Sequence, residues 1–531
     1  MSVPTATLDR APLSDASAPG ARPWWETRPF IAVLILLSAV PLLYPANPPL
    51  VDLFGHMGRY RVQLDLASSP WLQQYYDFKW TPIGNLGVDL LIIPLSRIFG
   101  LELAVKLIVL AIPPMTVAGF LWVAREVHHR LPPTAMFALP FVYGYPFMFG
   151  FLNFTLAMAL AFLAFGLWLR LASRGRTRLR TILFVPIAAI IYFVHVYGWG
   201  ILGLLAFSAE AVRQHDNGRP WFKAGFRAAL HAAVMALPLV FMLAWRGATT
   251  GPETLGWFEW SLKWKWLYSA LRDRYELLDE ASICLVGAVL VFALFNRRLT
   301  FSRNLAFSAL VLLAAFIILP WTLFGSAYAD MRLVPYLLAT ALLAIRFRGE
   351  TDLAMARSLA WIGLGFYLVR IAATTLSLAL AANAQAAKLE ALDQLPRGAR
   401  LVTLIGQECG RHWALPRDSH LAGMAIVRRE AFSNDQWAIE GANLLTVRYR
   451  EAGHFSADPS QIVRPAECAK VPLLSVDQAL AAIPRQAFDY VWAVDLSPPE
   501  EPQALADLRP IWRGRGSVLY AIEKPGGHPQ P

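Results

Sequence analysis

The sequence predicts an all-α polytopic membrane protein that ends in a small α/β domain. Of its 531 residues, 56% are hydrophobic and only 16% are charged, whereas soluble proteins carry roughly 25% charged residues. Apolar runs, several of them long enough to span a membrane, fill the first two thirds of the chain, and residues 383–531 are much more polar. This balance excludes a soluble multidomain enzyme, because so little polar surface would not cover its cores.

About eleven transmembrane helices account for the apolar runs. The run 181–212 is too long for one span of about 20 residues, and His195, Tyr197 and Gly198 interrupt it, so we predict two helices joined by a tight turn there. The predicted spans are 29–44, 101–124, 133–149, 150–171, 181–195, 196–212, 228–244, 281–295, 304–324, 333–345 and 358–380.

Basic residues give the predicted orientation. With residues 1–28 as a cytoplasmic N-terminal tail, the predicted cytoplasmic segments hold 20 Lys and Arg residues and the opposite loops hold 10, as the positive-inside rule requires. Eleven crossings place residues 383–531 outside the cytoplasm, in the periplasm if the membrane is a bacterial inner membrane. Because these loops account for the net charge of +11, we expect membrane lipid, and no nucleic acid, as a partner.

The predicted transmembrane domain is 29–382, with a first external loop at 46–100. Within this loop the segment 83–99 is apolar but contains Asp89, Pro94 and Arg97. Counting it as a span would move the basic residues at 125–130 outside, so we predict an interfacial or re-entrant helix instead.

The C-terminal domain, 383–531, alternates short β-like runs at 400–405, 490–494 and 517–522 with helical stretches, which is typical of an α/β domain. Cys409 and Cys468 both lie there. An oxidising compartment permits a disulfide between them, but the sequence leaves their pairing open.

The first external loop carries three polar residues on one helix face. Asp52, His56 and Arg59 are spaced i, i+4 and i+7. A carboxylate, an imidazole and a guanidinium at a membrane surface suit the deprotonation of a hydroxyl and the binding of a phosphate. The same spacing also fits an amphipathic helix in which Asp52 merely stabilises the N-terminus.

Other polar residues are predicted to lie on the same side of the membrane. Asp77 fits a second carboxylate or a metal ligand as well as a turn residue, and Lys79 follows it closely. Taken singly, such residues are often caps or interfacial anchors, but their gathering opposite the basic loops favours a binding role. The remaining candidates for substrate binding are Asn153, His195, Asp330 and Arg332.

Asp52-x-x-x-His56-x-x-Arg59, Gly150-Phe-Leu-Asn-Phe154, the turn at His195 and Asp330-Met-Arg332 resemble the GT-C superfamily of integral-membrane glycosyltransferases, and more closely a bacterial group of glycosyltransferase-like membrane proteins. The layout of nearly the whole chain is similar to that superfamily. The paired Asp-Glu motif of the protein mannosyltransferases and the Trp-Trp-Asp motif of the oligosaccharyltransferases do not occur, which argues against a peptide acceptor.

The resemblance implies transfer of a sugar from a polyprenyl-phosphate donor to a lipid or glycan acceptor outside the cytoplasm. Asp52 would be the general base. Arg59, Lys79 and Arg332 are the candidates for stabilising the phosphate leaving group. His56 could polarise the phosphate, orient Asp52 or bind a metal, and the need for a divalent cation is left open.

Two other functions remain compatible with the sequence. A lipid or glycan transporter or flippase would need polar residues buried in many spans, whereas the predicted spans are mostly apolar. A non-catalytic assembly protein of the same layout would use its C-terminal domain for binding. No phosphate-binding loop, His-Glu-x-x-His or Gly-x-Ser-x-Gly motif occurs in the sequence, which argues against ATP-driven or metalloprotease chemistry.

Overall fold

The computed structural model describes residues 22–246, 254–323, 325–410, 412–437, 443–496 and 505–524, so most of the predicted tail 1–28 lies outside it. Its α-helices are α1 (Arg28–Leu37), α2 (Val40–Leu43), α3 (Leu53–Asp65), α4 (Pro70–Tyr75), α5 (Gly87–Phe99), α6 (Leu101–His128), α7 (Tyr145–Phe149), α8 (Leu152–Ser173), α9 (Thr177–Val194), α10 (Val196–Asp216), α11 (Trp221–Ala232), α12 (Pro238–Arg246), α13 (Trp260–Tyr268), α14 (Glu276–Phe295), α15 (Arg303–Ile318), α16 (Val334–Leu343), α17 (Leu353–Leu389), α18 (Gly423–Arg429) and α19 (Val476–Ala482).

The strands are β1 (Tyr76–Phe78), β2 (Leu299–Phe301), β3 (Ile345–Phe347), β4 (Leu401–Gly406), β5 (Leu445–Val447), β6 (Ile462–Val463), β7 (Tyr490–Val494), β8 (Leu508–Gly514) and β9 (Ser517–Ile522). Three of them, β4, β7 and β9, cover the strands expected at 400–405, 490–494 and 517–522.

Among the described residues, five helices are long and apolar enough to cross a membrane: α6, α8, α9, α14 and α17. Shorter apolar helices occur at Arg28–Leu37, Arg303–Ile318 and Met331–Leu343. Together with the C-terminal strands they confirm the predicted fold class, a mostly helical membrane chain with a small C-terminal α/β region. The number of crossings, about eleven, and their orientation remain predictions.

The turn predicted in the run 181–212 is confirmed. Helix α9 ends at Val194 and α10 begins at Val196, while His195 between them has an extended backbone with φ −167° and ψ 131°. Its side chain caps α10 by accepting a hydrogen bond from the Tyr197 backbone N–H at 3.2 Å. A polar residue thus separates two apolar helices at a point that hydropathy alone would not mark.

Three predicted spans are interrupted in the structure. The run 133–149 consists of a 3-10 helix, Pro133–Tyr143, followed by α7. The run 228–244 is shared between α11 and α12, and the run 29–44 between α1 and α2. Prolines lie at or near each break, and they lack the backbone N–H that a continuous helix needs.

The chain forms two compact units. The first, here called the helical unit, comprises Met1–Tyr44, Pro82–Val88 and Ile108–Leu376. The second, here called the sheet-containing unit, comprises Pro45–Thr81, Asp89–Leu107 and Ser377–Pro531. The sheet-containing unit therefore draws on much of the predicted external loop 46–100 as well as on the C-terminal region. The domain boundary predicted at 382 remains a prediction.

Buried ion pairs hold helices of the helical unit together. Arg370, near the middle of α17, donates to Asp279 at 2.5 Å and to the Leu271 carbonyl at 2.8 Å. Arg180 pairs with Glu210 at 3.2 Å, with both side chains almost fully buried. Charges inside apolar segments are costly unless they are paired, so these contacts account for the basic residues within otherwise apolar helices.

The main sheet of the sheet-containing unit has the strand order β6-β4-β7-β9-β8. Strand β4 runs parallel to β6 and β7, whereas β9 is antiparallel to β7 and β8. In addition β1, from the predicted external loop, pairs antiparallel with β5 in the register Tyr76↔Val447. The side chains of Tyr76, Val402 and Phe432 belong to one hydrophobic core.

Cys409 and Cys468 of the sheet-containing unit form a disulfide, with a sequence separation of 59 residues. The pairing that the sequence left open is therefore present in the structure. Cys284, in α14, is a free cysteine.

Glycines allow α3 and α18 to pack closely within the sheet-containing unit. A Cβ on Gly423 would lie 2.2 Å from the Phe54 carbonyl oxygen, and one on Gly58 would lie 2.8 Å from Nε2 of Gln436. Both distances are too short for real atoms, so α18 approaches α3 this closely only because residue 423 lacks a side chain, and Gln436 does so only because residue 58 lacks one.

We expect Gly423→Ala to destabilise the sheet-containing unit, because its methyl group would meet rigid backbone. Overpacking of this kind costs about 1–3 kcal/mol, and a lower thermal unfolding midpoint of the detergent-solubilised protein would measure it. Gly287→Ala is the control, since its Cβ meets nothing within 4 Å and alanine favours a helix. Equal midpoints for the two variants would contradict the packing argument.

Candidate active site

Asp52 lies at the start of α3, immediately before Leu53. Pro48 and Pro49 precede this helix, and its first turns bury Leu53, Phe54 and Met57. The side chain of Asp52 is nearly buried, yet it makes no hydrogen bond that caps the helix. Asp52 therefore occupies the N-cap position without a side-chain capping hydrogen bond, and stabilisation of the helix N-terminus by its charge stays compatible with the structure.

Three carboxylates surround one imidazole in the sheet-containing unit. Nε2 of His420 lies 3.9 Å from Oδ1 of Asp52 and 3.9 Å from Oδ1 of Asp458. On the other side of the ring, Nδ1 lies 3.9 Å from Oδ2 of Asp435 and 3.1 Å from the Asp435 backbone carbonyl oxygen. This group, here called the acid–imidazole cluster, joins a residue of the predicted external loop to three residues of the C-terminal region.

An aromatic contact and a glycine hold the imidazole against α3. The Trp437 ring lies 4.4 Å from the His420 ring and 4.9 Å from the His56 ring, measured between centroids. A Cβ on Gly55 would lie 2.7 Å from Trp437 and 3.0 Å from Nδ1 of His420. Both rings can therefore approach the helix only because residue 55 has no side chain. His56 itself contacts the cluster through Trp437.

Asp435 is fully buried. Its Oδ1 accepts hydrogen bonds from the Ser433 hydroxyl at 3.0 Å and from the Gln436 amide at 3.2 Å. Burial raises the pKa of the Asp435 carboxyl above its usual range, although His420 and the two hydrogen bonds oppose this effect, and the nearby negative charge of Asp458 adds to it. The innermost carboxyl of the cluster thus binds its proton more firmly than an exposed aspartate would.

Arg59, predicted to bind phosphate, is paired with a carboxylate in the structure. Both of its terminal nitrogens donate to the Asp89 carboxylate, one of them at 3.3 Å, and both side chains are buried. The Gln63 amide donates to the Asp89 backbone carbonyl at 2.7 Å. The pair links α3 to α5, and the phosphate role of Arg59 stays a prediction.

Asp77 and Lys79 lie on and beside strand β1 and are exposed. Oδ1 of Asp77 accepts a hydrogen bond from the Phe78 backbone N–H at 2.8 Å, and the residue pairs with Thr446 in a strand instead of lying in the turn that the sequence also allowed. The Lys79 backbone N–H donates to the Leu444 carbonyl at 2.9 Å. Among the described residues, no group of three or more His, Cys, Asp or Glu is arranged to hold a metal ion.

The structure brings two of the predicted residues of the helical unit together. Nη1 of Arg332 lies 3.3 Å from Nε2 of His195, and its guanidinium carbon lies 4.1 Å from the centroid of the Phe151 ring. Nδ1 of His195 accepts the Tyr197 N–H, which requires the hydrogen of the neutral ring to be on Nε2, whereas the contact with Arg332, which can only donate, favours the other tautomer. In the tautomer with hydrogen on Nε2, two N–H donors face each other, an arrangement that an anionic oxygen could bridge.

The other two predicted residues of this unit have different partners. Asp330 accepts a hydrogen bond from the buried Lys263 at 3.1 Å. Asn153 accepts from the Val88 N–H at 2.6 Å and donates to the Asn85 carbonyl at 2.9 Å, so it anchors the segment before α5.

Four residues of the acid–imidazole cluster and its surroundings were missed from the sequence: His420, Asp435, Trp437 and Asp458. They belong to loops and turns of the C-terminal region and follow no helical or strand period. The one signal available was the presence of a histidine and aspartates within a domain predicted to share the side of the membrane with Asp52.

We expect Arg59→Ala to destabilise the protein, because it leaves the buried Asp89 carboxylate without its cation. Loss of one partner of a buried pair costs about 3–5 kcal/mol, measurable as a lower thermal unfolding midpoint in detergent. Adding Asp89→Asn to that variant should restore part of the lost stability, because it removes the unpaired charge. If the double variant is as unstable as Arg59→Ala, the charge of Asp89 is not the cause.

Comparison with family models and with curated protein sequences finds no match. Among solved structures, the chain is similar to the crystal structure of ArnT from Cupriavidus metallidurans bound to undecaprenyl phosphate, with a TM-score of 0.49 and 14% identity over 94% of this chain and 98% of that chain. It is also similar to the apo state of the same protein, with a TM-score of 0.45 and 14% identity over 93% and 97% of the two chains. Both similarities extend over nearly the full length of the chain.

Proposed function

We propose that the protein is a membrane glycosyltransferase that moves a sugar from a polyprenyl-phosphate donor to a hydroxyl of a lipid or glycan acceptor. The reaction takes place on the extracytoplasmic side of the membrane, in keeping with the distribution of basic residues. Asp52 is the general base.

The observation that carries this proposal is the environment of Asp52. The Asp52 carboxylate makes no hydrogen bond that caps α3, and it lies 3.9 Å from the His420 imidazole. Two further carboxylates belong to the same cluster. A group of acids around an imidazole, in which the pKa of one acid is shifted, is typical of acid–base catalysis and serves no evident packing purpose. The resemblance to the GT-C glycosyltransferases, where an acidic residue follows the first span, points to the same residue.

In the proposed reaction, the acceptor oxygen attacks the anomeric carbon of the donor while Asp52 takes the hydroxyl proton. The new bond joins the anomeric carbon to the acceptor oxygen, and the bond from that carbon to the phosphate oxygen breaks. The lipid phosphate leaves with the electron pair of the broken bond. A single displacement of this kind inverts the configuration at the anomeric carbon.

The phosphate that leaves gains negative charge and needs hydrogen-bond donors. We propose that Arg332 and His195 form a phosphate-binding site within the helical unit, because Nη1 of Arg332 lies 3.3 Å from Nε2 of His195, which carries hydrogen in the tautomer that accepts the Tyr197 N–H. The guanidinium can donate two parallel hydrogen bonds to a phosphate, and the neutral imidazole can donate one. Lys79, an exposed cation, is a further candidate.

Asp52→Asn is expected to reduce turnover by about 10²- to 10⁴-fold, the usual contribution of a general base, while the amide keeps the shape of the side chain. Release of undecaprenyl phosphate from a panel of undecaprenyl-phosphate sugars, with membrane glycolipids as acceptors, would measure it. Asp65→Asn is the matched control, on the same helix and paired with the half-buried Arg61. Normal turnover of the Asp52→Asn variant would refute the proposed role.

Arg332→Ala is expected to weaken the binding of undecaprenyl phosphate by about 10- to 100-fold, since a hydrogen bond to a charged group is worth roughly 1.5–3 kcal/mol. Arg332→Lys keeps the charge but cannot donate two parallel hydrogen bonds, so its loss of affinity should be smaller than that of Arg332→Ala. Affinity measured in detergent by native mass spectrometry gives both values. The control is Arg297→Ala, which replaces an exposed arginine. Equal affinities for all variants would show that the phosphate does not bind at Arg332.

A further inference from the structure

We propose that His420 is the proton-carrying partner of Asp52: it accepts the proton that Asp52 takes from the acceptor and passes it towards solvent through Asp458. This inference rests on the proposed function and adds a residue that acts through Asp52. His420 is thus a positioning residue of the site and not a group that touches the substrate.

The hydrogen bond of the ring determines which nitrogen can receive a proton. Nδ1 of His420 lies 3.1 Å from the Asp435 backbone carbonyl oxygen, and a carbonyl oxygen can only accept, so Nδ1 carries hydrogen. The lone pair of the neutral ring is therefore on Nε2. That nitrogen is the one that faces Asp52 and Asp458.

Every charged group that faces the ring is a carboxylate. Asp52 comes from α3, whereas Asp435 and Asp458 come from two loops of the C-terminal region, and each places a carboxylate oxygen 3.9 Å from a ring nitrogen. The Trp437 ring also contacts the His420 ring, and it contacts the His56 ring as well. The imidazole therefore lies among negative charges in a nearly buried site, where such charges act strongly.

The three carboxylates differ in their access to solvent, and this difference gives the relay a direction. The side chain of Asp458 is 23% exposed, against 12% for Asp52 and 0% for Asp435. Gln461 donates to Oδ1 of Asp458 at 2.7 Å and to the Ser419 carbonyl at 3.1 Å, which fixes the outer carboxylate beside the ring. Asp458 is therefore the member through which a proton can reach water.

The relay balances without any co-reactant. After sugar transfer, the O–H bond of the Asp52 carboxyl breaks and an N–H bond forms at Nε2. That N–H bond then breaks, the proton moves to Asp458 and on to water, and Asp52 and His420 return to their starting forms. The 3.9 Å distances exceed hydrogen-bond length by about 1 Å, so each transfer requires the side chains to close or one water to bridge them. Catalytic hydrogen bonds commonly tighten only when the substrate is bound.

The test compares turnover of His420→Gln with that of wild type, using the release of undecaprenyl phosphate as the readout. Glutamine keeps a polar side chain of similar size but cannot carry the proton. We expect kcat to fall at least about tenfold with little change in KM. His454→Gln is the control, because His454 is an exposed histidine of the same unit.

Two further readouts separate proton transfer from a purely structural role. The pH dependence of kcat should differ between wild type and His420→Gln, because the relay carries a proton through the imidazole that the variant lacks. In addition, imidazole in the buffer should restore part of the turnover of His420→Ala, since it can occupy the space of the missing ring.

The outcomes distinguish this inference from the function on which it rests. If Asp52→Asn is inactive while His420→Gln keeps the turnover and pH profile of wild type, the relay is overturned and the function stands. A low turnover of His420→Gln with an unshifted pH profile and no rescue by imidazole also overturns the relay. If wild type releases no undecaprenyl phosphate, or Asp52→Asn remains active, the proposed function itself fails.

Discussion

The candidate site depends on the close approach of helix α3 to helix α18. Gly423 reaches the backbone of Phe54 at a distance that no side chain would permit, and Gly55 leaves room for the rings of His420 and Trp437. These contacts are steric and cannot be adjusted by small side-chain movements, because protein interiors are close-packed. They determine how near Asp52 lies to the imidazole, and with it the chemistry that the pair can perform.

Electrostatics distinguishes the acid–imidazole cluster from the other buried charges of the sheet-containing unit. Arg59 and Asp89 neutralise each other, and Glu430 has two arginine partners, Arg61 and Arg397. The cluster instead gathers three carboxylates around one imidazole. Such an excess of like charge is unfavourable unless protons are shared or moved, which is why perturbed acids concentrate at functional sites.

Much of the fold could be predicted from the sequence because hydropathy and β-like patterns are local. The turn at His195 and the strands β4, β7 and β9 follow from runs of a few residues. The interrupted spans at 133–149 and 228–244 could not be predicted from hydropathy, because proline and glycine change the helix type without making the segment less apolar.

The candidate site was only half predictable. Asp52 was singled out because it follows the first apolar run at helical spacing from His56, and its role remains a proposal. Its partners were missed because the contact that brings them close joins residues far apart in sequence: Gln436 donates to the Gly55 carbonyl across 381 residues. Neither the segment around Gly55 nor the segment around Gln436 has a periodic pattern that would predict this contact. Arg59 is the opposite case, because the sequence suggested a cation that could bind a ligand, whereas the structure pairs it with Asp89.

The sheet-containing unit is built from three separate stretches of chain, and this has a consequence for biosynthesis. Asp52 and helix α3 are made early, whereas helix α18 and the imidazole follow only after the whole of Ile108–Leu376 has been synthesised. Until then, the glycine-lined surface of α3 lacks the helix that covers it in the folded unit. A nascent chain therefore carries the carboxylate without its proton partner, and the proposed acid–base chemistry can begin only after the C-terminal stretch has folded onto the early one.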